Sequence, residues 1–317
     1  MSRPLVRGTC GRPCPRRGRF LANLDVSASG SRDDRYEALD SLKQVDPHHL
    51  EAARLALARA ALDAGRLGVL AAVDERTTFR ADQVVVKLDG DTRRLEHELA
   101  MMAVAGGLGV PVPPVIAVES GSPGVLLMRH MPGAALRPAH GPQPVRDVGR
   151  LLRRLHALPV ERQEAWDVHL HAWADLKTRQ LVERRLLHPD DGARISSRVE
   201  DVRAILADRP CSLIHGDLQP DHVLVDGGRV SAFLDFADAG GGDPLIDLAV
   251  LTLWEPSFEE LLWQGYEPDS DTVTAGLVLL PLYRLLRHLG AAIWLLEHGM
   301  NGQQHINRMH QLLGHIA

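Results

Sequence analysis

The stretch Val223-Leu224-Val225-Asp226-Gly227-Gly228-Arg229-Val230 constrains the fold most, because Asp-Gly-Gly between two apolar-rich runs demands a tight hairpin. Glycine takes positive φ at both central positions of such a turn without steric cost. A bend at Gly227-Gly228 sets Val225 near Val230 and brings Asp235, within Phe233-Leu234-Asp235-Phe236, beside Pro220 to His222. Asp217, within His215-Gly216-Asp217-Leu218, falls at the mouth of the same hairpin. Local turn chemistry therefore predicts that Asp217, His222 and Asp235 gather around one small volume. Taken singly, either acid reads as a turn or cap residue. The whole spacing, followed by Gly242-Asp243-Pro244 and Asp247-Leu248-Ala249, argues against that reading.

The surrounding pattern is that of two lobes. Leucines and alanines predict a helix over 49–64, stopped by Gly65. Short strands are expected over 69–73, 84–88, 115–118 and 125–128, with a polar stretch over 74–80 between the first two. A helix over 92–105 separates the strand pairs. Beyond residue 133 the chain turns helical, with an apolar face over 145–158 and a long helix over 273–297. The expected organisation is a disordered basic arm over 1–35, a mostly β lobe with a leading helix over 36–128, a hinge over 129–133, and a mostly α lobe over 134–317. The fold class is α+β.

Composition narrows the function. A formal net charge of -5 argues against a general nucleic-acid binder, which needs a basic face. Three cysteines make no disulfide framework, which points to a reducing, cytoplasmic compartment. No apolar run is read as a membrane span, and the arginines of the first twenty residues lack the apolar stretch of a signal peptide. Cys10, Cys14 and Cys211 suggest no zinc site. His298, His305, His310 and His315 are expected at the surface, and His156 as a satisfied packing residue.

Two acids beside one hairpin suit phosphoryl transfer, which needs a metal ion to neutralise phosphate charge and a carboxylate to orient the attacking hydroxyl and accept its proton. Asp235 suits the metal, since magnesium prefers hard oxygen ligands, and Asp217 suits the base.

The run His215-Gly216-Asp217-Leu218, Asp235-Phe236, Gly242-Asp243-Pro244 and Asp247-Leu248-Ala249 resembles the signature of the aminoglycoside phosphotransferase family. That family shares the protein-kinase-like fold and is similar to choline and homoserine kinases. The resemblance covers residues 69–251 and implies a bilobal protein-kinase-like fold, with Mg2+ as cofactor and ATP or GTP as phosphoryl donor. It implies Asp217 as catalytic base, Asp235 as principal metal ligand, and Asp247 as a brace of the catalytic loop, with His215 and Asp243 in the same motif. The family's second metal ligand, an asparagine, is His222 here, as in macrolide-phosphorylating relatives. Imidazole is a poorer magnesium ligand than an oxygen. Three readings stay open: His222 binds the metal, acts through water, or yields that role to Asp221.

By the same resemblance, Lys87 contacts phosphates and pairs with a helical glutamate, Glu98 fitting better than Glu96. Thr77 and Thr78 fall in the phosphate-covering loop, which lacks glycine here. Met128, the Arg129 carbonyl and the Met131 amide fall at the nucleobase. No Walker-type P-loop is present. Glu255, Glu259, Glu260, Glu267, Asp269 and Asp271 form an acidic window without lysine or arginine. An acidic rim there would attract a cationic acceptor such as an aminoglycoside, with Asp238, Glu255 and Glu259 as acceptor contacts. The expected partners are that small molecule and the nucleotide, in a monomer or weak dimer without nucleic acid or membrane. The alternatives are a kinase of a macrolide, an amino alcohol or a metabolite, and a non-catalytic pseudokinase.

Overall fold

The computed structural model describes residues 45–161 and 164–315. The basic arm expected over residues 1–35, with Cys10 and Cys14, lies outside them. The chain has the α+β, protein-kinase-like class and divides into two compact units.

Among the described residues, the sheet unit comprises 45–144 and 220–237. Helix α1 (Pro47–Arg59) is capped by Asp46, whose carboxylate accepts the His48 amide at 2.9 Å. It ends earlier than the sequence suggested, because Ala61 turns to φ 55 before Gly65 is reached. Strands β1 (Gly68–Val73), β2 (Arg76–Ala81), β3 (Val84–Asp89), β4 (Val115–Glu119) and β5 (Gly124–Arg129) make an antiparallel sheet ordered β1-β2-β3-β5-β4. Helix α2 (Thr92–Gly107) begins at the Asp91 cap and follows β3.

Strand β2 corrects the expected polar loop over 74–80. Thr77, Phe79 and Ala81 are buried while Arg76, Thr78 and Arg80 are half-buried, the period-2 pattern of a strand with one face in the core. The charges of Arg76 and Arg80 masked that alternation. Phe79, Val86, Leu88 and Leu127 pack with Ala53 and Leu57 of α1 into one apolar core.

The Gly-Gly hairpin forms as its turn chemistry demands. Strands β8 (Val223–Asp226) and β9 (Arg229–Phe233) pair Val225 with Val230, and Gly227 and Gly228 take φ 54 and 75. Strand β6 (Ala134–Ala135) pairs with β8. The Phe233 amide donates to the Pro111 carbonyl at 2.8 Å, and Ser231 Oγ to the Pro132 carbonyl at 2.7 Å. These bonds place residues 134–144 and 220–237 in the sheet unit, whereas the expected division set all of 134–317 together.

The helical unit begins within α3 (Pro142–His156), which buries Val145, Val148, Leu152 and Leu155. Helices α4 (Trp166–Glu183), α5 (Pro189–Asp201) and α6 (Arg203–Ala207) lead to β7 (Ser212–Ile214), which pairs antiparallel with β10 (Gly240–Gly242). Helices α7 (Leu245–Leu251), α8 (Phe258–Tyr266), α9 (Ser270–Glu297) and α10 (Gln303–His315) complete it. Among the described residues, α9 is long and apolar enough to cross a membrane, which the sequence reading did not anticipate. Its most apolar window is 78% buried, as in the core helix of a folded domain.

Candidate active site

In the sheet unit, strand periodicity sends Val84, Val86 and Leu88 into the core and Lys87 to the opposite face. Lys87 Nζ lies 2.7 Å from Glu98 Oε2 on α2 and 2.9 Å from Asp235 Oδ1. Glu98 takes this position, and Glu96 does not share it. Side-chain exposure is 2% for Glu98, 13% for Lys87 and 34% for Asp235, so Asp235 is the member open to a ligand.

Electrostatics distinguish the two acids. Burial works to raise the Asp235 pKa, but the Lys87 ammonium and then His222 outweigh it and hold the carboxyl well below its ordinary range. Burial dominates at Glu98 and pushes its pKa up despite Lys87. At Lys87, burial works downward, but the Asp235 and Glu98 carboxylates prevail and raise the pKa above the lysine range. Asp235 also sits at φ 62, a left-handed conformation uncommon outside glycine and concentrated at functional positions.

His222 closes a 3₁₀ turn (Pro220–His222), its carbonyl accepting the Leu234 amide at 2.8 Å, and its charge acts on Asp235. Asp221 is held by Arg137 Nη2 at 2.6 Å. Of the three readings of position 222, the one that substitutes Asp221 is therefore the least favoured.

Thr77 requires a correction. Its hydroxyl is buried and bonded to His49 Nδ1 at 2.8 Å, inside the core and away from the face that carries Lys87. Thr78 stands opposite Lys87 on the neighbouring strand, hence on the Lys87 face. Arg76 shares that face, and its charge acts on both Glu98 and Asp235. Sequence reasoning missed it, although its i, i+2 spacing to Thr78 was the available signal. Met128 is buried at the end of β5, opposite Val85. The Arg129 amide donates to the Pro114 carbonyl at 2.9 Å, and Met131 follows outside the strand.

In the helical unit, Asp247 organises the His-Gly-Asp turn. Its Oδ2 accepts the His215 amide at 2.7 Å and its Oδ1 the Gly216 amide at 2.8 Å. His156 Nε2 reaches Oδ2 at 3.0 Å, and His156 Nδ1 meets Tyr266 Oη at 3.0 Å, so both ring nitrogens are engaged. Burial works to raise the Asp247 pKa, but these bonds, His156 first, bring it down. Gly216, at φ 82, approaches the backbone of Asp238 so closely that a Cβ would lie 2.4 Å from the Asp238 carbonyl oxygen. Asp243 is gripped by Arg209 Nε and Nη2 at 2.9 and 3.0 Å, with Tyr283 Oη at 2.8 Å.

Asp217 is 2% exposed. Its Oδ1 accepts Gln219 Nε2 at 3.2 Å and pairs with Arg287 of α9, which is 1% exposed. Arg287 was invisible to sequence reasoning, because an arginine in a largely apolar helix carries no spacing relation to a motif seventy residues away.

The acidic window is largely engaged within the fold. Glu259 pairs with Arg284 and Glu267 with Arg153. Asp269 caps α9 by accepting the Thr272 amide at 2.7 Å, and Glu255 accepts Ser257 Oγ at 2.5 Å. The neutralising arginines come from α3 and α9, outside the window that was scanned. His305 corrects the expectation of surface histidines: it is 8% exposed, with Nδ1 2.9 Å from His288 Nδ1.

A model described as the APH phosphotransferase enzyme family matches residues 67–276. Homoserine kinase of Neisseria meningitidis serogroup B is 34% identical over 111 residues, 32% of this chain and 33% of that protein. Homoserine kinase of Gluconobacter oxydans is 33% identical over 149 residues, 41% of this chain and 47% of that protein. The chain thus spans about a third to a half of the length of these curated relatives. A GDP complex of aminoglycoside 2'-phosphotransferase-IIIa superposes with a TM-score of 0.66 at 15% identity, covering 86% of this chain and 98% of that one, a likeness of fold.

Proposed function

This chain belongs to the APH phosphotransferase enzyme family, and from that premise we propose that it moves the γ-phosphoryl group of ATP or GTP onto a hydroxyl of a small molecule. The observation that carries the reading is the Lys87–Glu98–Asp235 trio. A lysine charged and fixed by a buried glutamate supplies a positive centre for nucleotide phosphates, and a half-buried, strongly acidic carboxylate stands next to it.

Asp217 is the base in this reading. As the acceptor oxygen bonds to the γ-phosphorus, the bond to the β,γ-bridging oxygen breaks and the nucleoside diphosphate leaves with the electron pair. The hydroxyl proton passes to the Asp217 carboxylate. Asp235 offers the hard oxygen that suits Mg2+, with His222 beside it. The described residues contain no cluster of three or more His, Cys, Asp and Glu, and magnesium characteristically takes its remaining ligands from water and phosphate. When bound, the cation supplies neutralisation of phosphate charge.

Two acceptor classes follow. An aminoglycoside-like antibiotic, whose phosphorylation confers resistance, is supported by the fold neighbour and the motif resemblance. A hydroxylated amino acid is supported by the homoserine kinase relatives, and by the pairing of Glu259 and Glu267 with arginines, which weakens the argument for a polycation. Transfer of labelled γ-phosphate should be screened against aminoglycosides, macrolides, amino alcohols and homoserine, with Asp217→Asn as control. Transfer to one class that disappears in the variant supports the reading. Tight nucleotide binding without transfer or hydrolysis favours the pseudokinase, and undiminished transfer by Asp217→Asn removes the assigned base.

A further inference from the structure

We infer that Arg287 is a positioning residue for the transfer step, fixing the orientation of Asp217 and holding the charge that a base requires. The inference rests on the role given to Asp217 above. It adds a residue that neither the motif nor the family match singles out.

The starting observation is a misfit. From Leu285 to Leu295, α9 is buried and almost wholly apolar, yet Arg287 sits within it at 1% exposure. A guanidinium stays ionised at any physiological pH, so this position carries a permanent buried charge. A buried ion pair is a poor device for stability, because an apolar pair of similar volume commonly serves as well. Stability alone would be served as well by an apolar side chain at this position, and so gives no reason for arginine. The reason lies in its partner, the carboxylate that the chemistry needs.

The other basic residues of α9 are engaged elsewhere. Arg284, one turn earlier, donates to Thr252 Oγ1 at 2.6 Å and pairs with Glu259. His288 faces His305, and burial, His305, Arg308 and Arg287 together push its pKa down to about 2. Burial and Arg287 push His305 down to about 4. Both rings are neutral at neutral pH. From its own loop, Asp217 meets His215, whose Nδ1 lies 3.4 Å from its amide, and Gln219. Asp238 lies against Gly216, and Asp247 from α7 is spent on the His215 and Gly216 amides.

Geometry completes the case. Arg287 Nη2 meets Oδ1, and Gln219 Nε2 straddles the carboxylate at 3.2 Å from Oδ1 and 3.5 Å from Oδ2. One donor on Oδ1 and a second across both oxygens fix the orientation of the carboxylate, and so the line along which it meets an acceptor hydroxyl. Positional errors of an ångström in such a group are expensive in rate. A cation beside the carboxylate also favours its ionised form, the form able to take a proton.

The test uses the full chain carrying Arg287→Met and Arg287→Lys, with nucleotide hydrolysis as the readout, because water as acceptor needs no knowledge of the natural one. Arg287→Met is expected to lower kcat by about a hundredfold or more while nucleotide affinity changes by less than about twofold. The acid limb of the kcat–pH profile is expected to move to higher pH once the neighbouring cation is gone. Arg287→Lys keeps a charge on a shorter, flexible stem that holds Oδ1 less firmly than Nη2 does, and should restore the acid limb and about tenfold of the rate. Thermal unfolding monitors each variant, and should Arg287→Met not fold, Arg287→Lys carries the test. A folded Arg287→Met with wild-type kcat and acid limb overturns the inference. So does an Arg287→Lys that is wild-type in rate when Arg287→Met is unfolded, since the guanidinium then positions nothing. A wild-type chain that binds nucleotide but neither hydrolyses nor transfers it removes the functional reading and this inference with it. Wild-type turnover indifferent to position 287 removes the inference alone.

Discussion

Lowering the pH from 7 to 5 should destabilise the folded chain through His288 and His305, two buried rings outside the proposed chemistry. They share one hydrogen bond between Nδ1 atoms at 2.9 Å and lie edge-on to Trp254 with centroids 5.0 and 5.1 Å away. Such a bond needs one donor and one acceptor, so the two rings cannot both be protonated in the folded chain. Folding pushes their pKa values down to about 2 and about 4, chiefly by burial. A histidine in the unfolded chain titrates near 6.5, so below that pH the unfolded state binds more protons and stability falls with it. The loss continues until each folded value is reached. Between about pH 7 and about pH 5 it amounts to ~2 kcal/mol per ring, or ~4 kcal/mol for the pair. Urea unfolding followed by circular dichroism at both pH values measures it, with His288→Leu/His305→Leu as the reference that lacks both rings. The wild type should lose ~4 kcal/mol more than the double variant over this interval. Equal losses in the two proteins would refute the buried neutral pair, whatever the absolute stabilities.

Three further substitutions probe the two units. Lys87→Met leaves Glu98 and Asp235 without their shared cation, and should lower kcat/KM for the nucleotide by about a hundredfold in steady-state assays. Asp247→Asn turns an amide NH2 towards the His215 or Gly216 N–H, and should cost about 1–3 kcal/mol in denaturant unfolding together with most of the activity. Because the folded Asp247 pKa lies below the ordinary carboxylate value, its stabilisation is present above about pH 4 and fades as the pH falls further. Gly216→Ala combines φ 82 with a clash against the Asp238 carbonyl, and should abolish transfer while leaving nucleotide affinity, read by fluorescence titration, unchanged.

What the sequence made legible was local. The hairpin was readable because Gly227-Gly228 permits one kind of turn, and its register then follows residue by residue. The choice of Glu98 over Glu96 was readable because helix periodicity allows one face of α2 to meet β3. Strand β2 was hidden because Arg76 and Arg80 occupy positions that a half-buried strand turns away from the core, and charge at those positions mimics a loop. The same misreading put Thr77 near phosphate instead of in the core beside His49. The end of α1 was misjudged because Ala61, a residue with no special liking for positive φ, leaves the helix before Gly65.

Charge was the property that sequence windows handled worst, and the reason is geometric. An ion pair is set by proximity in space, whereas a window sums neighbours along the chain. The window from Glu255 to Asp271 contains no cation, yet arginines from α3 and α9 reach Glu267 and Glu259. The segment from Leu285 to Leu295 looks inert, yet it delivers one buried guanidinium to Asp217. Both errors bias the reading in the same direction, towards an acidic acceptor site and a cationic substrate. Restoring the long-range partners neutralises two of the six acids, Glu259 and Glu267, and sets a fixed positive charge against Asp217. With Glu259 and Glu267 already paired inside the fold, the charge argument for a polycationic acceptor loses two of its six acids, and the discrimination falls to a transfer screen of aminoglycosides against homoserine.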